Sequence, residues 1–324
     1  MLKITSYIII IVVVSILILS EYPFMIYQQK MTLGDLYKLC YILKYKEKEI
    51  KNFSNLRSDK SPQILCIGDS FFASSFGHRN YSNLLEKSSS LGVISNLSIH
   101  SYDIQKMKKL LIKNPKIKLV IIESVERYLY GRFPNPLKLS LFKLDSFFRK
   151  RESKLEYLFK TPVLSELLLP MINSFKYKAF KDFPKSYLYF SEKTQKLYLQ
   201  STLSKSFLGS SFSQRNDVAI DLFVNNMIHI KKLLEAKNIT LLIMIIPNKS
   251  TTELLGLNSV KKNHIVEIQK RLQAKKILYL DIFSAFKNKK DLYFKSDTHW
   301  NKKGVNIAIE ETNKKLKLLK FSEK

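Results

Sequence analysis

Short apolar runs recur along the chain at residues 62–67, 93–99, 117–123, 239–246 and 276–281, and helical patterns fall between most of them. Runs of that length, rich in Ile, Leu and Val, fit strands buried on both faces. Their alternation with helices predicts a parallel sheet covered by helices on both sides, so the fold class is α/β. Between Gly131 and about Asn216 the alternation fails, Phe, Tyr, Leu, Lys and Ser predominate, and prolines stand at 134, 136, 162, 170 and 184. This stretch reads as a mostly helical insertion over the carboxyl edge of the sheet, either a lid or substrate platform or a packing elaboration.

A different pattern opens the chain. Residues 4–19 are almost continuously apolar, broken only by Thr5, Ser6, Tyr7 and Ser15, with Lys3 before them and Glu21 after. The run is short for a membrane span, but no Ala-x-Ala cleavage site follows it. It is read as an uncleaved signal anchor, a transmembrane helix over residues 1–20, with a cleaved leader as the other reading. A juxtamembrane segment then covers 21–60 and a single domain covers 61–324, with its insertion at 131–216. Positive charge on the short amino end keeps that end in the cytoplasm and exports the rest. The expectation is a single-pass protein of a bacterial inner or cytoplasmic membrane, its large domain in the periplasm or at the cell exterior.

The net charge of +28 raises nucleic acid as a partner, but only eight of the 55 basic residues are arginine and the lysines are spread throughout the chain. Phosphate and base readers rely on arginine forks, so no nucleic-acid partner is expected. An AT-rich coding sequence and attraction to an anionic surface are the two explanations left for the lysines. Cys40 and Cys66 are read as reduced and buried, and the five histidines are too scattered for metal-ligand spacing. Neither a metal nor another cofactor is expected.

The chemistry lies in two motifs far apart in sequence. Gly68-Asp69-Ser70-Phe71 follows the first apolar run and precedes a helical pattern, which puts Ser70 on a strand-to-helix turn at the carboxyl edge of the sheet. Backbone N–H groups at such a turn can stabilise a developing oxyanion. Asp297-Thr298-His299-Trp300 follows the last apolar run and stands just before a helix expected from about Lys302. A serine hydroxyl needs a base to take its proton, and an imidazole serves best when a carboxylate fixes its tautomer. Ser70, His299 and Asp297 can therefore form a triad. Alone, the first motif is a common turn and the second a helix cap beside a packed tryptophan; together, in this order, they favour catalysis.

These residues resemble a known family. Gly68-Asp69-Ser70-Phe71 is similar to the first block of the SGNH (GDSL-type) esterases and acyltransferases. Asp297-Thr298-His299-Trp300-Asn301, with Gly304 following, resembles the Asp-x-His-Trp element of the SGNH-like proteins that O-acetylate alginate and other exported polysaccharides. Leu119 to Arg127 and Ile245-Ile246-Pro247-Asn248-Lys249 resemble a strand-and-loop and another segment of the same proteins. The resemblance spans 62–318 on four short motifs. It implies a flavodoxin-like three-layer α/β/α SGNH fold with five parallel strands, and a Ser70 acyl-enzyme.

The match has departures. In the alginate proteins Asp-x-His-Trp precedes the serine motif, whereas here it follows, as in ordinary SGNH esterases, which carry Asp-x-x-His. Ser101 stands where the family's oxyanion glycine is expected, and Glu123 to Arg127 replaces Gly-x-Asn-Asp. The oxyanion candidates are accordingly the Ser70 N–H, the Ser101 N–H and Arg127. Trp300 and Lys249 are candidate substrate contacts, with a buttress beneath the histidine loop and a solvated lysine as the competing readings.

The resemblance implies an anchored, extracytoplasmic O-acyltransferase, with acetyl as the group carried, acting on a cell-surface or exported polysaccharide. It also implies a membrane partner of the MBOAT type that passes acyl groups across the membrane. A carbohydrate esterase (deacetylase) and a catalytically inactive polysaccharide-binding or assembly subunit are the alternatives.

Overall fold

The computed structural model describes residues 60–69, 71–72, 81–96, 104–132, 187–254 and 263–321, together with Tyr7, Ser15, Lys176, Ala179 and Phe180. Strands β1 (Pro62–Ile67), β2 (Gly92–Asn96), β3 (Leu119–Val125), β6 (Thr240–Ile246) and β7 (Leu278–Leu280) form one parallel sheet in the order β2-β1-β3-β6-β7. A separate antiparallel hairpin joins β4 (Leu188–Ser191) to β5 (Lys196–Leu199). With that hairpin set aside, the order is the flavodoxin-like one, whose switch point lies between β1 and β3.

Alternate side chains of each strand feed opposite cores, as the period of two requires. Leu65, Ile67, Val120, Ile122, Leu241 and Ile243 pack on one side with helices α2 (Ile104–Lys113), α4 (Asp217–Glu235) and α6 (His264–Ala274). Ile64, Cys66, Leu119, Ile121, Leu242 and Met244 pack on the other with α1 (Tyr81–Ser89), α7 (Ile282–Phe286) and α8 (Lys302–Leu318). Two short helices, α3 (Leu129–Arg132) and α5 (Lys249–Glu253), follow the carboxyl ends of β3 and β6. Each fully buried Leu or Ile of these layers stabilises the fold by roughly 1.5–3 kcal/mol relative to exposure.

Local chemistry sets the helix ends. The side chains of Asn216, Asn263 and Asn301 accept N–H bonds at the starts of α4, α6 and α8. After α4, α6 and α8 the chain turns through left-handed residues Asn238, Lys276 and Lys320. In each case the next N–H returns to a helix carbonyl: Ile239 to Leu234, Ile277 to Leu272 and Phe321 to Leu316.

Two expectations change. β3 continues to Val125 because its pairing with β6 runs through Val125 and Ile246. The described part of the stretch expected to be a helical insertion, 187–216, contains the β4–β5 hairpin and a 3-10 turn at Gln200–Leu203. Leu188, Leu197 and Tyr198 are buried, and the short runs rich in aromatic residues in which they lie suit strands. Most of the remainder of that stretch lies outside the described residues. So do the expected anchor, apart from the helical Tyr7 and Ser15, and the juxtamembrane segment, apart from Lys60. Among the described residues no helix is long and apolar enough to cross a membrane.

Burial pushes the Cys66 thiol from the ordinary 9.0 up to about 12. The stability gained by keeping it neutral is complete below 9.0 and is lost as the pH rises towards about 12. Cys66 is therefore expected to resist iodoacetamide at pH 8 in the folded protein and to react only in denaturant, as peptide mapping will show. Rapid native labelling at Cys66 would contradict the buried first strand.

Candidate active site

β1 leaves the sheet at the switch point through Gly68 and Asp69. A Cβ on Gly68 would lie 2.4 Å from Glu123 Oε2 and 2.8 Å from Glu123 Cβ, so the close approach of β1 to β3 needs glycine there. The buried Glu123 carboxylate accepts the Asp69 N–H at 2.7 Å. Asp69 in turn accepts from the Phe71 N–H on Oδ1 at 3.0 Å and from the Phe72 N–H on its carbonyl at 3.0 Å, closing a tight turn. Ser70, and the second oxyanion candidate Ser101, lie outside the described residues.

The other half of the site is a doubled-back loop between α7 and α8. Its two legs pair, with Phe294 N–H donating to the His299 carbonyl at 3.1 Å and Asn301 N–H to the Leu292 carbonyl at 3.0 Å. Asp297 sits at the tip and His299 on the returning leg. Asp297 Oδ1 accepts the His299 backbone N–H at 2.7 Å and lies 2.5 Å from His299 Nδ1. With the proton on Nδ1, Nε2 becomes the proton-accepting nitrogen of the neutral ring. Phe71, next in sequence to Ser70, lies against His299 with ring centroids 4.8 Å apart. The fold thus brings the two motifs together.

Trp300 is 4% exposed, packed edge-on to Phe71 and Phe286. It supports the histidine loop from within the core, and so cannot offer a face to a sugar. Lys249, also 4% exposed, is not a solvated lysine. Its ammonium donates to the carbonyls of Leu197, Phe294 and Lys295 at 2.8, 2.6 and 2.9 Å and approaches that of Asp297 at 3.3 Å. Those contacts correct its assignment as a substrate contact, because they engage its three N–H groups.

The third candidate, Arg127, is in the 3-10 turn Glu126–Tyr128 that follows β3. Its Nη2 stands 3.4 Å from Thr298 Oγ1, between Asp297 and His299 in sequence, and its guanidinium lies 4.9 Å from the centre of the Tyr128 ring. Arg127 is therefore at the mouth of the same loop.

Residues not singled out from sequence hold this edge together. Glu126 is fully buried. Its Oε2 accepts from Asn248 N at 2.7 Å and Thr251 Oγ1 at 2.6 Å; its Oε1 meets the Ser211 hydroxyl and lies 2.8 Å from His264 Nε2. One carboxylate thereby ties β3 to α5 and α6. On the hairpin, Lys196 pairs with Glu253 at 2.7 Å and Asp291 at 2.9 Å, and Tyr198 donates to Glu253 at 2.8 Å. Burial alone would lower the Lys196 ammonium, but the bonds to Asp291 and Glu253 outweigh it and leave its pKa raised; the same pair holds Asp291 low. Leu197 N–H also donates to the Lys295 carbonyl at 2.9 Å. Two short apolar runs rich in aromatic residues, Tyr187 to Phe190 and Leu197 to Leu199, were the available sequence signal for this hairpin. Among the described residues no group of His, Cys, Asp and Glu could hold a metal ion.

Residues 207–324 match the family model described as SGNH hydrolase-like domain, acetyltransferase AlgX. The chain carries an SGNH hydrolase-like region. That SGNH-like match supports a serine hydrolase-type enzyme. No curated protein matches the chain. Solved structures similar to it include a lipolytic protein of the G-D-S-L family from Desulfitobacterium hafniense, at 12% identity over 78% of this chain and 97% of that one, with a TM-score of 0.37. A lipase/acylhydrolase from Enterococcus faecalis is 11% identical over 80% of this chain and 96% of its own, with a TM-score of 0.39. A catalytic mutant of an acetylxylan esterase from Geobacillus stearothermophilus is 11% identical over 79% and 94%, with a TM-score of 0.38.

Removing the Glu126 carboxylate leaves buried donors without their acceptor. Glu126→Ala is expected to destabilise the fold by about 3–5 kcal/mol, and Glu126→Gln, which keeps one carbonyl acceptor, by roughly 1–3 kcal/mol. Urea unfolding followed by circular dichroism checks both; equal stability of the alanine variant and wild type would refute the network.

Proposed function

We propose that this protein is a membrane-anchored, extracytoplasmic O-acyltransferase that acetylates a cell-surface or exported polysaccharide through an acyl-enzyme on Ser70. The observation that carries the reading is the 2.5 Å contact between Asp297 and His299, on a loop packed against the residue that follows Ser70. The acetyltransferase in the matched family's description supports acetyl as the group carried. The apolar run at 4–19 supports the anchor and export of the domain.

In the proposed cycle His299 Nε2 takes the Ser70 hydroxyl proton as Oγ bonds to the donor carbonyl carbon. Asp297 keeps the proton on Nδ1 and stabilises the imidazolium without itself becoming protonated. The oxyanion is held by the Ser70 N–H, with the Ser101 N–H and Arg127 as further donors. Collapse expels the donor's leaving group, which takes the proton from His299. A sugar hydroxyl then gives its proton to His299 and attacks the ester carbonyl, and Ser70 is released with its proton restored. An exported enzyme has no acetyl-CoA at hand, so an MBOAT-type membrane partner supplies the acyl group in this scheme.

Water can replace the sugar hydroxyl in the second step, and the hydrolase-like description of the matched family supports that esterase reading. Incubation of the full-length protein in detergent with p-nitrophenyl acetate, followed by intact mass and peptide mapping, tests the scheme. An acetyl adduct on Ser70 is expected, with at least about a 1,000-fold loss of its formation rate in Ser70→Ala and His299→Ala. Added oligosaccharide then separates the readings by whether acetyl passes to sugar or to water. A folded wild-type protein with neither adduct nor hydrolysis would overturn the enzyme reading.

A further inference from the structure

The acyl-transfer reading needs His299 held in one orientation, yet Asp297 and His299 lie on a loop outside the helices and strands, its legs joined by backbone bonds at Phe294–His299 and Asn301–Leu292. The tip of that loop is Lys295-Ser296-Asp297-Thr298. Two of its carbonyls, those of Lys295 and Asp297, meet one side chain, the ammonium of Lys249. We infer that Lys249 is the positioning residue for the catalytic dyad, acting through the loop backbone and not on substrate.

Three features support this, and the inference rests on the acyl-transfer reading. First, the contacts span the outgoing leg of the loop, its tip and the hairpin: Phe294 O at 2.6 Å, Lys295 O at 2.9 Å, Asp297 O at 3.3 Å and Leu197 O at 2.8 Å. A tetrahedral ammonium suits carbonyls converging from different directions, whereas a planar guanidinium suits a carboxylate. Second, the lysine is anchored at its base. It begins α5, and the preceding residue, Asn248, donates its N–H to the buried Glu126. Third, the Tyr198 ring lies 5.0 Å from Nζ and covers the cation with a π face. One nitrogen thus joins β5, α5 and the dyad loop.

The consequence for chemistry is specific. Asp297 Oδ1 accepts from both the His299 N–H and Nδ1, and this double acceptance depends on the backbone course from 294 to 299. Without the ammonium, buried carbonyls on that course lose their donor, and the loop must move to reach water. The base would then lose its orientation while the acyl-binding surface stayed in place.

The test compares wild type with Lys249→Met and Lys249→Gln in the full-length protein, using p-nitrophenyl acetate turnover and the far-downfield proton signal of the His299 Nδ1–H. Lys249→Met is expected to lower kcat by about 100-fold, the scale of a misplacement of about 1 Å, with KM little changed and the downfield signal lost. Lys249→Gln, keeping two N–H donors, should retain part of both. A folded Lys249→Met protein with the wild-type signal and kcat would overturn the inference. So would loss of folding in both variants, since the lysine would then be holding the domain as a whole. A wild-type protein that shows the signal but never turns over the ester would sink the acyl-transfer reading alone, and the signal in the variants would still decide whether Lys249 positions the dyad.

Discussion

A hydrogen bond between two residues of one loop can be no better defined than the loop itself. In this protein the Asp297–His299 contact has no helix or strand of its own to fix it. Its geometry depends on backbone carbonyls gathered around an ammonium, on the short ladder between the two legs, and on Trp300 driven into the core behind it. The sheet determines where this loop begins and ends. Charge buried beneath it determines its shape.

The carboxyl edge of the sheet is held by ions that would be costly if unpaired. Glu123 braces the turn after β1, Glu126 ties the turn after β3 to the start of α5, and Lys249 extends that tie to the dyad loop. A hydrophobic side chain in place of Glu126 would leave the Asn248 N–H and the Thr251 hydroxyl without their acceptor. Directionality is what such groups add. A carboxylate with several donors, or an ammonium with several acceptors, fixes backbone that side-chain packing alone leaves free to slide.

Much of this architecture was legible in the sequence, for physical reasons that differ from part to part. The five sheet strands show as apolar runs because both of their faces are buried, and the capping role of Asn301 follows from its place ahead of α8. Asp297 and His299 could be paired because their spacing is local. The hairpin escaped notice because its turn, Glu192 to Gln195, has no Asn-Gly or Asp-Gly pair; Gln195 adopts the left-handed conformation instead. Lys249 was misread because lysines are rarely buried, and only tertiary structure shows four carbonyls meeting at its nitrogen. Glu126 was visible as one residue of a motif, but its partners at Asn248, Thr251 and His264 are brought to it by the fold.

The hairpin alters what counts as a separable unit in this chain. The match to the family model begins at residue 207, after β5 has ended at Leu199. A protein fragment cut at that border would keep Asp297, His299 and Lys249 but lose the Leu197 carbonyl, the Leu197 N–H on Lys295, the Tyr198 ring over the ammonium and the Lys196 bridge to Asp291. The matched region and the mechanically intact unit therefore have different boundaries here. A segment that reads as ornament added to a sheet is part of the clamp on the loop that carries His299, so an exchange of such segments between related chains would have to carry the matching lysine and loop with it.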